Sequence, residues 1–418
     1  MIPRRAARIT ALVAAALAGC GGDDSPGTSP DARADTMQMT DAAGRDASVV
    51  DSGLDASPAD AGRDAAPSTD AGAPRDSGLD TSTALDGGSP PSPDAGPGDD
   101  AAMGTDGGMG PVARCFADDF VTPPTIGPDY DQFGTVPGSH CLGTNHQDIT
   151  GIERVVFVGD SVTVGTPPTL STDFYRARLA NALAARFGLT APDLLWQSAN
   201  PFDGMSFSRV SGDFASCARW GARTDDLMRD GSQLADCMPE ADRDLRTLVV
   251  MTMGGNDISS ITQAGIDGTP IPDIWVQTEE FVGLMRDAIR WIVEPGRFPN
   301  GVFVIFANMF EFTDGTGDVA ACPAAGLAGF GAMWDDTMAL ADMVIWANEQ
   351  FASIAVETRT DMIFVLEHFC GHGWARTSPE SPCYRGPDAP LWFDLTCIHP
   401  NPEGHAEVSA MFEAVVRE

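Results

Sequence analysis

Four short clusters in this 418-residue chain carry groups able to act on a carbonyl carbon. Gly159-Asp160-Ser161 follows directly on the apolar run Val155–Val158, so a serine hydroxyl is delivered at the end of a buried strand. Such a hydroxyl is a weak nucleophile and needs an adjacent base. His399, in Ile398-His399-Pro400-Asn401-Pro402, is the candidate: a rigid turn before a helix start holds it. Neutral imidazole, with an ordinary pKa of ~6.5, can accept a proton near neutral pH. Gly221, in Trp220-Gly221-Ala222, offers a backbone N–H with no side chain in the way. Asn256, in Gly255-Asn256-Asp257, offers a side-chain amide. With the Ser161 N–H these make three donors for a developing oxyanion. Each cluster alone is an ordinary turn; their order and placement give them weight.

The placement comes from alternating apolar runs and helical periods. Residues 154–158, 193–196, 245–253, 302–307 and 362–366 read as strands. Residues 172–187 read as a helix stopped by Gly188, and 275–293 as one ended by Pro295. Residues 333–356 carry an apolar stripe, and a last helix starts at Asn401-Pro402 and runs to Val416. Five apolar strands alternating with helices imply a parallel sheet covered on both faces. Right-handed crossovers put every strand's carboxyl end on one edge, where open α/β sheets bind ligands. Ser161 and Asn256 both follow strands and belong there.

Gly159-Asp160-Ser161, Gly221, Gly255-Asn256-Asp257 and His399-Pro400-Asn401, in that order, resemble the four blocks of the SGNH/GDSL hydrolases. The resemblance spans about residues 152–416. It implies an α/β fold: a flavodoxin-like, three-layer α/β/α sandwich with a five-stranded parallel sheet. It also implies hydrolysis of esters through an acyl-enzyme, without metal or organic cofactor. Ser161 takes the role of nucleophile, Gly221 and Asn256 those of oxyanion donors, and His399 that of base. One position departs from the family: where it usually has Asp, three residues before the His, this chain has Thr396. Asp394 lies five before. Either the loop bulges so that Asp394 orients His399, or a Thr396 carbonyl or hydroxyl does so. Asp394 is the expected partner, because a carboxylate best stabilises the imidazolium that forms.

The rest of the chain says where such an enzyme works. Arg4, Arg5 and Arg8 precede a short apolar core that closes on Leu17-Ala18-Gly19-Cys20. This resembles a bacterial lipoprotein signal, with Cys20 as the lipidated residue. Residues 21–110 hold 18 Asp against 4 Arg and no aromatic residue. They cannot bury enough surface to offset their ordering entropy, and read as a disordered tether. The expected organisation is a signal at 1–20, a linker at 21–110, an extension at 111–150 and the hydrolase domain at 151–418. The expected location is extracytoplasmic, lipid-anchored to a bacterial outer membrane or cell surface. The net charge of −35, with every basic residue an Arg, excludes nucleic acid as a partner. No later stretch reaches the roughly 18 apolar residues of a transmembrane helix.

Eight cysteines follow Cys20, an even number that argues for disulfides in an exported chain. Proximity suggests Cys115–Cys141 and Cys217–Cys237; the other four can pair in three ways. No ligand spacing suggests zinc. Segments 203–240 and 371–390 carry cysteines and read as stapled lids. Glu367-His368-Phe369-Cys370-Gly371-His372 reads as a pocket wall rather than a metal site. His405 is expected to pack in the last helix, Asp257 to support the Asn256 turn, and Arg223 to form a surface ion pair. The expected substrate is a small-molecule, lipid or polysaccharide ester, and acyl transfer shares the same intermediate. The alternative is a surface binding module on this scaffold without turnover. Ser161, Asn256 and His399 together favour the enzyme, since binding requires none of them.

Overall fold

A computed structural model describes residues 109–119, 127–229, 232–326 and 334–418. The signal segment, Cys20 and nearly all of the 21–110 stretch lie outside the described residues.

The strands are β1 (Arg154–Gly159), β2 (Ala199–Asn200), β3 (Met205–Ser206), β4 (Val210–Ser211), β5 (Phe214–Ser216), β6 (Thr247–Thr252), β7 (Val302–Ala307) and β8 (Asp361–Ile363). The helices are α1 (Pro111–Cys115), α2 (Ser161–Val164), α3 (Tyr175–Phe187), α4 (Leu194–Gln197), α5 (Gln233–Cys237), α6 (Gly255–Ile266), α7 (Ile271–Ile292), α8 (Thr337–Thr358), α9 (Val365–Phe369) and α10 (Pro402–Arg417). Six strands form one sheet in the order β4-β5-β1-β6-β7-β8. Five run parallel, and the edge strand β4 pairs antiparallel to β5.

Strands buried on both faces need apolar residues at every position, and β1 and β6 are buried throughout. Alternate side chains then serve opposite layers. Val156, Val158, Val249 and Met251 face a layer built on α7 and α8, through Met285, Ile289, Met343 and Phe351. Val155, Phe157, Leu248 and Val250 face α3 and α10, through Leu179, Leu183, Met411 and Phe412. The result is the expected α/β/α sandwich, with one antiparallel edge strand added.

Two sequence expectations are corrected. Residues 193–196 form no strand: Asp193 caps α4 by accepting from the Trp196 N–H at 2.9 Å, and Trp196 packs in the core. A four-residue apolar run does not distinguish one helical turn from a short strand. Its place in the sheet is taken by β5. The last strand also ends earlier than expected, at Ile363, and α9 begins two residues later.

All eight cysteines among the described residues are paired. Cys115–Cys141 and Cys217–Cys237 match the pairs suggested by proximity, and the other four form Cys322–Cys397 and Cys370–Cys383. No helix among the described residues is long and apolar enough to cross a membrane.

Candidate active site

The register of β1 on β6 brings Gly159 opposite Thr252, so both strands release their following residues at one place on the sheet edge. Gly159 has φ +138°, and a Cβ there would collide with the Thr252 carbonyl, so only glycine fits this turn. Asp160 then caps α2, its Oδ1 accepting from the Val162 N–H at 3.0 Å and the Thr252 hydroxyl at 2.8 Å. Burial pushes its carboxyl up to about 6. Asp160 therefore fixes the turn and leaves Ser161 as the first residue of α2.

Two residues that the sequence reading did not single out hold this turn from behind. Gln233, on α5, meets the Gly159 backbone with both ends of its amide: Oε1 accepts from the N–H at 2.6 Å and Nε2 donates to the carbonyl at 2.9 Å. Arg176, fully buried on α3, donates to the Thr163 and Val164 carbonyls at the far end of α2. It also reaches the Trp196 and Gln197 carbonyls and lies over the Trp196 ring. No local pattern marks either residue, because their partners are distant backbone groups.

His399 enters from the loop before α10. Asn401 caps that helix by accepting from the Glu403 and Gly404 amides. The loop is closed by the Asp394 N–H donating to the His399 carbonyl at 2.9 Å, and Cys397 is bonded to Cys322. The His399 Nε2 stands 2.8 Å from the Ser161 Oγ. Residues 238 positions apart are thus in hydrogen-bond contact. Burial depresses the imidazole to about 4, so it is neutral at pH 7.

Asp394 does not touch the imidazole, contrary to the expectation that it orients the ring directly. The His399 Nδ1 lies 2.7 Å from the Thr396 hydroxyl. That hydroxyl donates to Asp394 Oδ1 at 2.5 Å, and the Thr396 N–H donates to the same oxygen at 2.8 Å. Among the described residues Asp394 Oδ2 has no hydrogen-bond partner, and burial pushes the carboxyl up to about 7. The loop bulges as a carboxylate two residues further back would require, but threonine intervenes.

The oxyanion candidates converge on the same edge. Gly221 has φ +72° in the loop after β5. Its neighbour Trp220 donates through Nε1 to the Gly165 carbonyl at the end of α2. Asn256, in the first turn of α6, donates to the Ala222 carbonyl at 2.9 Å, which ties it to the Gly221 loop and leaves its second amide hydrogen. Asp257 supports the arrangement from below, accepting from the Thr224 N–H and hydroxyl. Burial raises Asp257 to about 7. Among the described residues, neither the Ser161 nor the Gly221 backbone N–H has an acceptor.

The remaining sequence candidates are held in other contacts. Glu367 is sealed in a core network with Tyr130 and Asn308, not on a pocket wall. His368 points to the Cys141 carbonyl. His372 stacks on Trp392 with ring centroids 3.5 Å apart. His405 is buried and accepts from the Tyr175 N–H. Arg223 donates to the Ser260 hydroxyl. Segment 203–240 is less a lid than part of the site, since it supplies both Gly221 and Gln233. No group of three or more His, Cys, Asp or Glu side chains among the described residues could hold a metal ion.

The GDSL-like Lipase/Acylhydrolase family model matches residues 157–407. Similar solved structures include an extracellular lipase from Streptomyces rimosus, 16% identical, covering 63% of this chain and 100% of that one at a TM-score of 0.39. Another is LAE5, an alpha/beta hydrolase enzyme from the metagenome of Lake Arreo, Spain: 16% identity, 65% and 98% coverage, TM-score 0.37. A third is BT4096, a gut microbial diltiazem-metabolizing enzyme: 12% identity, 65% and 49% coverage, TM-score 0.39. A search of curated proteins found no match.

Proposed function

The chain belongs to the GDSL-like lipase/acylhydrolase family and is a hydrolase of ester bonds, and from that premise we propose that Ser161 and His399 carry out the reaction through an acyl-enzyme. The observation that supports this most is the 2.8 Å contact between Ser161 Oγ and His399 Nε2, with the imidazole held neutral by burial.

In this reading Ser161 Oγ forms a bond to the ester carbonyl carbon as its proton passes to His399 Nε2. The carbonyl oxygen becomes an oxyanion, received by the N–H groups of Ser161 and Gly221 and the Asn256 amide. These donors are fixed before substrate arrives, so little reorganisation is needed as charge develops. Collapse breaks the bond to the alkoxy oxygen, which takes the proton from Nε2 and leaves as the alcohol. Water then adds its oxygen to the acyl carbon as its proton passes to Nε2; the bond from that carbon to Ser161 Oγ breaks, Oγ takes the proton back from Nε2, and the acid departs.

The substrate is an ester of a small molecule, lipid or polysaccharide. The enzyme works outside the cytoplasm: four disulfides in one domain suit an oxidising compartment. Cys20 carries the lipid that holds it to the membrane. The test is turnover of p-nitrophenyl acetate and longer-chain esters by the wild type and by Ser161→Ala. Activity in the wild type with loss of at least 1000-fold in Ser161→Ala is expected; an inert wild type, or an equally active variant, rejects the reading. Mass labelling with palmitate in cells, with and without Cys20→Ser, tests the anchor.

A further inference from the structure

We propose that the Thr396 hydroxyl is a positioning group that sets the tautomer of His399, transmitting the charge of an Asp394 carboxylate that does not reach the imidazole itself. The proposal rests on the serine–histidine reading above.

A hydroxyl has one hydrogen to donate, and an ionised carboxylate can only accept. Thr396 Oγ1 lies between Asp394 Oδ1 at 2.5 Å and His399 Nδ1 at 2.7 Å. With Asp394 ionised, the single hydroxyl hydrogen must point to the carboxylate. The Thr396 oxygen then presents only lone pairs to Nδ1, so Nδ1 must carry the hydrogen. Nε2 is left bare, 2.8 Å from the Ser161 hydroxyl, as a base requires. If Asp394 is neutral or replaced, the hydroxyl is released to donate to Nδ1. The hydrogen of the imidazole then moves to Nε2, and Ser161 loses its acceptor.

The surroundings hold this geometry. Thr396 is buried, its own N–H is bonded to the same carboxylate oxygen, and the loop is closed on both sides of it. The proton that leaves Ser161 stops on Nε2; those on Nδ1 and Thr396 stay where they are. The hydroxyl and the carboxylate behind it thus occupy the place of a directly bonded aspartate.

The ionisation of the pair supports a pH signature. Burial raises Asp394 to about 7 and lowers His399 to about 4. The bonds from Thr396 are what oppose the rise of Asp394; no charged side chain contributes to it. The titratable neighbours are His399 in the same loop and His405 on α10, which is influenced by His399 and by Arg178 on α3. Both histidines are neutral near pH 7, so Asp394 is the group of the His399 loop that changes charge there, whereas Asp160 and Asp257, pushed up to about 6 and about 7, sit behind the Ser161 turn and behind Asn256.

The test compares Thr396→Val, Thr396→Ser, Asp394→Asn and the Thr396→Val/Asp394→Asn double variant on p-nitrophenyl acetate, with full-length protein, from pH 4.5 to 9. Thr396→Val is expected to lower kcat about 100-fold with KM within about twofold, since the hydroxyl acts through the base and not on substrate. Thr396→Ser, which keeps the hydroxyl, is expected to stay within about threefold of the wild type. The double variant should be no worse than Thr396→Val, because one chain is broken once. Wild-type kcat/KM should fall as pH drops through about 7, and Asp394→Asn should lose that limb. An unimpaired Thr396→Val, additive losses, or an unchanged limb in Asp394→Asn overturns the proposal. If Thr396→Val does not fold, Thr396→Ser and the Asp394→Asn pH profile decide. An active Ser161→Ala would sink the serine reading instead, whereas an inactive one beside a normal Thr396→Val sinks only the relay.

Discussion

Gln233→Leu removes the clamp behind the turn that carries Ser161, and its cost follows from which backbone groups lose a partner. The Gly159 N–H is buried, and its hydrogen bond goes to Gln233 Oε1 at 2.6 Å. Leucine orphans it, at a cost of about 1–3 kcal/mol. The Gly159 carbonyl loses Gln233 Nε2 but keeps the Arg219 N–H at 3.0 Å, so its loss is about 0.5–1.5 kcal/mol. The expected destabilisation is therefore roughly 2–4 kcal/mol, a large share of a domain's usual stability. Because Ser161 lies two residues on, kcat should fall as well, while Gln233→Glu should be intermediate: one carboxylate oxygen still accepts from the N–H, but the other faces a carbonyl. Urea unfolding followed by tryptophan fluorescence measures the first effect, and ester turnover the second. A Gln233→Leu protein within about 0.5 kcal/mol of the wild type would refute the reasoning, since it would mean that Gly159 finds another acceptor.

Asn256→Ala removes one proposed oxyanion donor and should lower kcat on the order of 100–1000-fold with little change in KM; a change of less than threefold in steady-state assays would remove Asn256 from the hole. Asp257 is held up to about 7 by burial, above its unfolded value of 3.8. The folded state therefore binds more protons between these values, and the stability this group provides is lost as pH rises through about 7. Asp257→Asn is then expected to gain stability relative to the wild type between pH 5 and pH 8, and parallel denaturation midpoints would contradict it. Opening Cys322–Cys397 with the double variant Cys322→Ser/Cys397→Ser releases a cross-link across 75 residues, worth about 4 kcal/mol by chain entropy. The loop bearing His399 should loosen, so thermal melting and kcat should both drop; retention of full turnover would show that the loop is held without it.

The chain's local patterns were enough to locate most of the architecture. Continuous apolar runs marked β1, β6 and β7 because a strand buried on both faces has no choice of residue type. Gly188 and Asn401-Pro402 marked helix ends because they satisfy backbone groups only a few residues away. Ser161, Asn256 and His399 could be nominated for the same reason: each sits in a short motif read from its own neighbours. What the sequence did not decide involves partners far apart in the chain. The 193–196 run was compatible with strand or helical turn until Asp193 capped it. Four cysteines had three possible pairings until the His399 loop came to lie against the segment after β7. Gln233 and Arg176 bear no local signal, since their partners are backbone groups brought close by folding. That the Thr396 hydroxyl stands between the Asp394 carboxylate and the His399 ring follows from a loop conformation and not from any local motif. Propensity and capping are short-range and written in consecutive residues; a hydrogen bond between distant segments depends on positions to within a few tenths of an ångström, which only the packed fold fixes.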